Sequence, residues 1–180
     1  MLAGDEIRRT QMVGLPNAVA EQEHVQPNGV DLSLDAVWRF AGAGTLGKSS
    51  TDRRLPARDE LQFDADGWLE LGIGTYGIRY TESVALPLDC GGLCFPRSSL
   101  LRMGCHVPTA VWDAGYTGRA EGLLAVTTPF GVRLQRGARI VQLVLFRLTE
   151  AARAGYAGQY QHEGAQPAQP IATSFAPLRQ

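Results

Sequence analysis

Val30-Asp31-Leu32-Ser33-Leu34-Asp35 alternates apolar and polar residues and opens a stretch that continues to Phe40. A period of two is typical of a β-strand. Turn residues separate further short β-prone stretches, and no sustained helical period comes between them. These stretches cover residues 68–73, 78–86, 92–95, 105–112, 121–127 and 140–148. We therefore predict a mainly β domain, built as an antiparallel barrel or sandwich.

Helix is expected only in short pieces, over residues 98–103, over residues 149–154 and at the N-terminus. The N-terminal piece, Asp5-Glu6-Ile7-Arg8-Arg9, places acidic residues before basic ones, as the helix dipole favours. None of these helices is long enough to pack across the face of a sheet, so each sheet face must pack against other strands.

Length and charge limit the class of protein. With 180 residues, of which 44% are hydrophobic and 19% charged, the chain can bury one full core. We predict one domain over residues 1–154 and a flexible C-terminal arm over residues 155–180. A net charge of -1 offers no surface for a polyanion, so we expect no nucleic acid and no membrane as partner. Without an apolar segment that could span a bilayer or serve as a signal, a soluble cytoplasmic protein is expected.

The residues that commonly bind metals are few and scattered. Cys90, Cys94 and Cys105 lack CxxC spacing, and the histidines form no ligand cluster with them. We predict reduced thiols that are buried or half-buried, and no metal bound directly by the protein.

Residues 42–49, GAGTLGKS, satisfy the letters of the P-loop pattern GxxxxGK[ST]. A P-loop requires a parallel strand before it and a long helix after it, whereas polar residues and Pro56 follow here. We therefore interpret residues 41–60 as a long mobile surface loop. Phosphotransfer through Lys48 stays as a less favoured alternative.

Three segments carry groups suited to a phosphorylated nucleoside. Phe95-Pro96-Arg97-Ser98-Ser99-Leu100 combines a guanidinium with two hydroxyls, and either serine would cap the helix that follows. Trp112-Asp113-Ala114-Gly115-Tyr116-Thr117-Gly118 is a turn in which Asp113 would orient water and Tyr116 would pack on a sugar. Gln142 interrupts an apolar strand, so its amide needs a partner in the backbone or in a ligand. Each segment also has an ordinary structural explanation.

Taken together and in order, these segments resemble the motifs of the homotrimeric dUTPase and dCTP deaminase superfamily. The four matching motifs are residues 26–34 (QPNGVDLSL), 96–100 (PRSSL), 112–118 (WDAGYTG) and 137–143 (GARIVQL). The N-terminal residues 5–9 and the tail residues 156–161 are closer to the deaminase branch. The resemblance covers nearly the whole chain and implies a dUTPase-like distorted, jelly-roll-like β-barrel. It also implies a homotrimer with sites at subunit junctions.

The resemblance further implies a role for individual residues. Asp113 would be catalytic, positioning water at the α-phosphorus of dUTP. The other implied residues bind phosphate (Arg97, Ser98, Ser99, Arg102 and Gln142), bind the nucleoside (Val107, Thr109, Ala110, Val111 and Tyr116) or belong to a closing arm (Tyr156, Tyr160 and Gln161). Mg²⁺ would be carried mainly by the triphosphate and its waters. Asp31 would touch that hydration shell through water, or serve only as a structural aspartate.

One position separates hydrolases from deaminases in this superfamily. Its deaminases use a glutamate ten residues after the aspartate of the third motif, and here that position is Leu123. Glu121 lies two residues earlier, about 6 to 7 Å away along a strand, and would reach the place of the missing acid only through a bulge. The ligand signature of zinc deaminases is also missing from the sequence.

We therefore predict an enzyme that hydrolyses dUTP to dUMP and pyrophosphate. One alternative is a dCTP deaminase, alone or in a bifunctional enzyme, that uses Glu121. Another is a non-catalytic nucleotide-binding regulatory protein. The side chains near the third motif leave the choice between uracil and cytosine open, because backbone groups are expected to recognise the base.

Overall fold

The computed structural model describes residues 1–164, and residues 165–180 lie outside the described part of the chain. The helices are α1 (Gly4–Arg9), α2 (Ala18–His24) and α3 (Ser98–Arg102), with a 3-10 turn at Ser50–Asp52. The strands are β1 (Val13–Gly14), β2 (Val25–Gln26), β3 (Gly29–Ala41), β4 (Ala57–Glu60), β5 (Trp68–Leu71), β6 (Gly74–Tyr80), β7 (Ser83–Ala85), β8 (Cys90–Pro96), β9 (Cys105–His106), β10 (Thr117–Gly118), β11 (Glu121–Val126), β12 (Val132–Gln135) and β13 (Arg139–Arg147).

Antiparallel sheets wrap around a single core. The largest has the order β8-β13-β3-β6-β11-β9, and β2 and β4 pair with opposite ends of β3. Two small sheets, β1-β7-β10 and β12-β5, complete the wall. This arrangement confirms the predicted mainly β architecture with short helices.

Strand β3 is the central element of the core, with β13 on one side and β6 on the other. Its apolar residues Val30, Leu32 and Leu34 are fully buried, and so are Asp31 and Ser33 between them. The alternation therefore predicts the strand but not the burial of its polar face. Buried polar groups need partners. Register shifts interrupt both ladders of β3 in this stretch, so side chains must supply part of the pairing.

The prediction of a long unstructured loop over residues 41–60 is wrong in part. Strand β4 pairs with the end of β3, from Trp38↔Glu60 to Ala41↔Ala57, and a further bridge joins Thr45 to Arg54. The strand is exposed and polar, so its pairing depends on β3 and leaves no hydrophobic signal. Lys48 is exposed on this hairpin, which has neither the preceding parallel strand nor the following long helix of a P-loop.

The helix predictions have mixed outcomes. Helices α1 and α3 are confirmed, but Arg97 is the N-cap of α3 and makes no side-chain capping bond, so the prediction of a Ser98 or Ser99 cap is wrong. Residues 149–154 form no helix, and residues 105–112 contain only β9 and a single bridge at Trp112. Helix α2 and strand β12 were not predicted. Asn17 caps α2 by accepting a hydrogen bond from the Ala20 amide at 2.9 Å.

The three cysteines are buried free thiols, as predicted. Burial raises the pKa of each thiol above its ordinary value, which disfavours the thiolate. Among residues 1–164, no helix has the length and apolar character needed to cross a membrane.

Candidate active site

A cavity of about 530 Å³ lies between the turn that follows β9 and the β3–β4 hairpin. We call it the nucleoside cavity. Its lining includes the following residues of the predicted site: Thr109, Ala110, Val111, Asp113, Tyr116, Tyr156 and Tyr160. Val107, predicted to join them, is instead buried in the core and is not part of the lining. Trp38, Arg58, Glu121 and Glu163 also line the cavity.

Asp113 begins a tight turn in the wall of this cavity. Trp112 anchors the turn, because its backbone exchanges hydrogen bonds with Gly92 of β8 at 2.9 and 3.0 Å. The Tyr116 amide closes the turn by donating to the Asp113 carbonyl at 3.1 Å. Gly115 has a φ of 80°, a left-handed conformation that glycine adopts without strain. The exposed carboxylate of Asp113 therefore projects from a fixed backbone, which suits a group that must orient a water molecule.

Aromatic rings form one side of the cavity. Tyr116 packs edge-on against Trp112 and Tyr156, with ring centroids 5.4 and 6.0 Å apart. The Tyr116 hydroxyl donates to the Glu163 carboxylate at 3.2 Å. Burial, together with the nearby Glu163 carboxylate, raises the pKa of Tyr116. Tyr116 is thus a neutral, rigid ring in the cavity wall, as a surface for stacking a sugar requires.

Residues 155–164, which we call the strap, pack directly on the turn of the third motif. The Gln161 side chain accepts a hydrogen bond from the Thr117 amide and donates one to the Gly115 carbonyl, both at 2.9 Å. The backbone adds bonds from His162 to Thr117 at 2.7 Å and from Arg119 to Glu163 at 2.8 Å. A Cβ on Gly115 would lie 2.5 Å from Gly155, so this contact requires glycine. The structure therefore brings Tyr156, Tyr160 and Gln161 to the same turn as Asp113.

Glu121 also faces the nucleoside cavity, but it is engaged. Its Oε1 lies 2.7 Å from Nη1 of Arg58, which is on β4. Strand β11 pairs with β6 in unbroken register from Glu121↔Arg79 to Val126↔Gly74, so no bulge shifts Glu121 toward the position of Leu123. Leu123 pairs with Gly77 and is not part of the cavity lining. The condition under which Glu121 would replace the missing glutamate is not met in this structure.

A second group of predicted residues lies around Asp31, and we call it the arginine cluster. Oδ2 of Asp31 is 3.0 Å from Nε of Arg97 and 3.6 Å from Nη1 of Arg139. Gln26 donates to the same oxygen at 3.3 Å. Gln142 pairs with Asp31 across the β13–β3 ladder and is half-buried. Ser98, Ser99 and Arg102 are exposed on the adjoining helix α3.

The Asp31 carboxylate organises this cluster. Its side chain is only 1% exposed, whereas those of Arg97 and Arg139 are 33% and 28% exposed. Burial raises the pKa of Asp31, and the positive charges of Arg97 and Arg139 counteract that shift. Arg97 contacts Asp31 through Nε, and a guanidinium also carries two terminal nitrogens whose fork geometry suits a phosphate.

The residues that line the nucleoside cavity do not include Asp31, Arg97 or Arg139. Gly92 lies beside Trp112, and Arg97 follows five residues later, just past the end of β8. Five strand residues span about 16 Å, so the backbones at Gly92 and Arg97 are well separated along β8. The predicted residues therefore form two separate groups, one in the nucleoside cavity and one in the arginine cluster.

Some residues of the site were not found in the sequence. Arg58, Glu163 and Arg139 were not assigned roles, although Arg139 lies in the fourth motif. Arg58 is 63 positions from its partner Glu121, and no local pattern connects such distant residues. The alternation of residues along β3 and β4 is the signal that could have predicted the hairpin. That signal can be used only when the pairing of the two strands is already known.

Comparisons with known proteins agree with the family that the four sequence motifs indicate. A family model described as dCTP deaminase-like matches residues 1–148. A probable deoxyuridine 5'-triphosphate nucleotidohydrolase of Methanosarcina mazei is 39% identical over 166 residues, which cover 91% of this chain and 97% of that protein. A protein of the same description from Aeropyrum pernix is 47% identical over 140 residues, covering 78% of this chain and 86% of that protein.

Among solved structures, a 2'-deoxycytidine 5'-triphosphate deaminase from Agrobacterium tumefaciens has a similar fold. The TM-score is 0.63 at 23% identity, over 82% of this chain and 47% of that chain. This chain therefore spans about half the length of that structure, and the similarity concerns the fold alone. It agrees with the distorted β-barrel that the motifs imply.

Proposed function

The chain belongs to the dCTP deaminase-like family, and we propose that its reaction is the hydrolysis of dUTP to dUMP and pyrophosphate. The observation that carries this proposal is the composition of the nucleoside cavity. Asp113 lines it on a fixed turn, Glu121 is paired with Arg58, and a leucine occupies the position of the deaminase glutamate. The two relatives described above as probable deoxyuridine 5'-triphosphate nucleotidohydrolases support the same reaction.

In the proposed reaction, Asp113 orients a water molecule toward the α-phosphorus and accepts the proton that this water loses as it attacks. A bond forms between the water oxygen and that phosphorus, and the bond to the bridging oxygen of the β-phosphate breaks. Pyrophosphate leaves with the bonding electron pair. The terminal nitrogens of Arg97, with the exposed hydroxyls of Ser98 and Ser99, offset the negative charge on the phosphate oxygens. Positioning and electrostatic stabilisation supply most of the rate in such reactions.

Mg²⁺ enters this proposal as part of the substrate, Mg·dUTP. The residues that the structure describes contain no group of three acidic, histidine or cysteine side chains that could hold a metal. Asp31, the candidate for an indirect contact, is buried and paired with Arg97. We propose that the triphosphate and water carry the metal, because Mg²⁺ usually keeps several waters and binds substrate phosphates.

We propose a homotrimer in which two copies of the chain together form a complete site. The nucleoside cavity of one subunit would face the arginine cluster of another. Large apolar side chains that flank Arg97 support such an interface, because Phe95, Leu101 and Met103 are each about half exposed. In a ring of identical interfaces each subunit supplies both halves, to different neighbours. We also propose a cytoplasmic location, where nucleoside triphosphates are found.

Deamination of dCTP is the second candidate, since Glu121 does line the cavity. Incubation with dUTP, dCTP and ATP in the presence of Mg²⁺, followed by chromatography, separates the candidates. Release of dUMP and pyrophosphate from dUTP is expected. Ammonia from dCTP would favour the deaminase, ADP would favour the P-loop, and binding without turnover would favour a regulatory protein.

Subunit complementation tests the shared site. Asp113→Asn and Arg97→Ala each remove one half, so neither variant alone should hydrolyse dUTP. After dissociation and random reassembly of an equimolar mixture, each mixed trimer should regain about one active site in its three interfaces, which is about a quarter of all interfaces in the pool, because an intact site needs one subunit of each kind in the right order. No recovery from trimers shown by mass spectrometry to be mixed would contradict a shared site.

A further inference from the structure

A buried titratable pair lies behind the arginine cluster. His24, the last residue of α2, is 8% exposed, and Glu82, in the turn between β6 and β7, is 1% exposed. Nδ1 of His24 lies 3.4 Å from Oε1 of Glu82. A carboxylate in the interior is costly unless hydrogen bonds compensate for lost water. Glu82 is compensated by one residue of the central strand, Ser33, and by His24.

The geometry determines where His24 carries a proton. Nδ1 lies 3.0 Å from the Asp31 carbonyl oxygen as well as 3.4 Å from the Glu82 carboxylate. Both neighbours are acceptors, so Nδ1 must be protonated, whether or not the ring as a whole is charged. His24 therefore donates to the backbone carbonyl of Asp31, and its ring lies beside the Glu82 carboxylate.

The contacts of Glu82 lie where the ladder of β3 is irregular. The Ser33 amide donates to Oε2 of Glu82 at 2.8 Å, and the Ser33 hydroxyl donates to Oε1 at 2.6 Å. On one side the register shifts opposite Ser33, between Arg139 and Val141, and on the other it shifts between Leu34 and Ala36. Side-chain bonds from Glu82 and His24 thus hold the backbone from Asp31 to Ser33 where the strand ladders are interrupted.

Helix α2 links the pair to the arginine cluster a second time. The Glu23 carbonyl, next to His24, accepts hydrogen bonds from Arg139 and from Gln26, the latter at 3.0 Å. His24 thus fixes both the backbone of Asp31 and the end of the helix that receives Arg139. Any movement of His24 would displace both guanidiniums.

We propose that His24 and Glu82 are positioning residues that set Arg97 and Arg139 for the triphosphate, with the Nδ1 proton of His24 as the essential contact. This inference rests on the proposed function, in which the arginine cluster binds phosphate. Neither residue touches the substrate. Their effect on the two arginines passes through the backbone and the carboxylate of Asp31.

The test compares His24→Gln with His24→Asn, and Gln22→Ala on the exposed face of the same helix is the matched control. The Asn amide nitrogen lies near the place of Nδ1 and can donate to the Asp31 carbonyl, whereas the Gln amide nitrogen reaches toward the place of Nε2. His24→Gln should lower kcat/KM for dUTP about tenfold or more, because a displacement of about 1 Å can cost on the order of a hundredfold. His24→Asn should recover most of that loss.

Binding measurements separate positioning from a general defect. In calorimetry, His24→Gln should weaken inorganic pyrophosphate and leave deoxyuridine, which has no phosphate, unchanged. Wild-type pyrophosphate affinity in His24→Gln, equal losses in the Gln and Asn variants, or a matching loss for deoxyuridine would each overturn the inference. If His24→Gln does not fold, Ser33→Ala decides, with weaker pyrophosphate binding expected and a wild-type value overturning the role. Pyrophosphate binding that depends on His24, in an enzyme without dUTP turnover, would refute the proposed function alone.

Discussion

Replacing Asp31 by asparagine removes the one negative charge that the arginine cluster shares. The two guanidiniums approach the same oxygen at 3.0 and 3.6 Å, so their charges lie within roughly 6 Å of each other. At an effective dielectric constant of about 20, two such charges repel by about 3 kcal/mol, which is an upper bound because the side chains can move apart. Loss of one partner of a fully buried pair costs about 3 to 5 kcal/mol, whereas exposed pairs contribute at most about 1 kcal/mol.

Because both arginines are partly exposed, we expect the loss of unfolding free energy in Asp31→Asn to lie between these limits, at about 2 kcal/mol. We expect Arg97 to swing toward solvent, and kcat/KM for dUTP to fall about 30-fold if the same free energy is lost from transition-state binding. Urea unfolding and steady-state release of pyrophosphate measure the two effects separately.

Asp35→Asn is the matched control. Asp35 lies on the same strand, and its Oδ2 also holds two arginines, Arg79 at 2.9 Å and Arg119 at 2.7 Å. Its loss should destabilise the fold but lower kcat/KM less than Asp31→Asn does, because neither arginine is among the proposed phosphate-binding residues. If Asp31→Asn lowers kcat/KM no further than Asp35→Asn does, the reasoning about the arginine cluster fails.

Three other predictions concern the cavity, the strap and the hairpin. Asp113→Asn should abolish dUTP turnover with little loss of nucleotide affinity by calorimetry, and unchanged turnover would exclude its catalytic role. Burial, and then the Glu121 carboxylate, raises the pKa of Glu163 from 4.5 to about 7, so docking of the strap is strongest at low pH and weakens as pH rises through that interval. Hydrogen exchange of the His162 amide, corrected for its intrinsic rate, should therefore be slower at pH 6 than at pH 8, and a difference that persists in Glu163→Gln would count against this assignment. Lys48→Ala should leave dUTP hydrolysis unchanged, whereas a collapse of activity would revive the P-loop interpretation.

The predictions that succeeded rest on local patterns. Alternation over residues 30–34 locates the central strand, and acidic residues before basic ones locate α1. Strand β4 and helix α2 were missed for different reasons. The first is polar and pairs only because β3 lies beside it, and the second is a short amphipathic piece with a single Asn17 cap. Tertiary pairing of this kind leaves little trace in local sequence.

In the candidate site, too, local sequence patterns predicted some features and tertiary contacts determined the others. The order of the four motifs pointed to the family, and the residue at position 123 pointed away from the deaminase chemistry. The chain alone could not show that Arg58 engages Glu121, or that the strap lies against the turn that carries Asp113. Those contacts join residues more than forty positions apart.

The sequence by itself determined that this chain is a β protein with an arginine-serine segment and an aspartate turn, because residue types and their spacing are local properties. Only the tertiary structure decided that Asp113 lines the nucleoside cavity while the arginine of the other segment contacts Asp31, because the pairing of distant strands brings those partners together. It also decided that Asp31 is buried against two arginines and is itself held by His24. A side chain's surroundings come from distant strands brought together by the core, and no short stretch of sequence contains them.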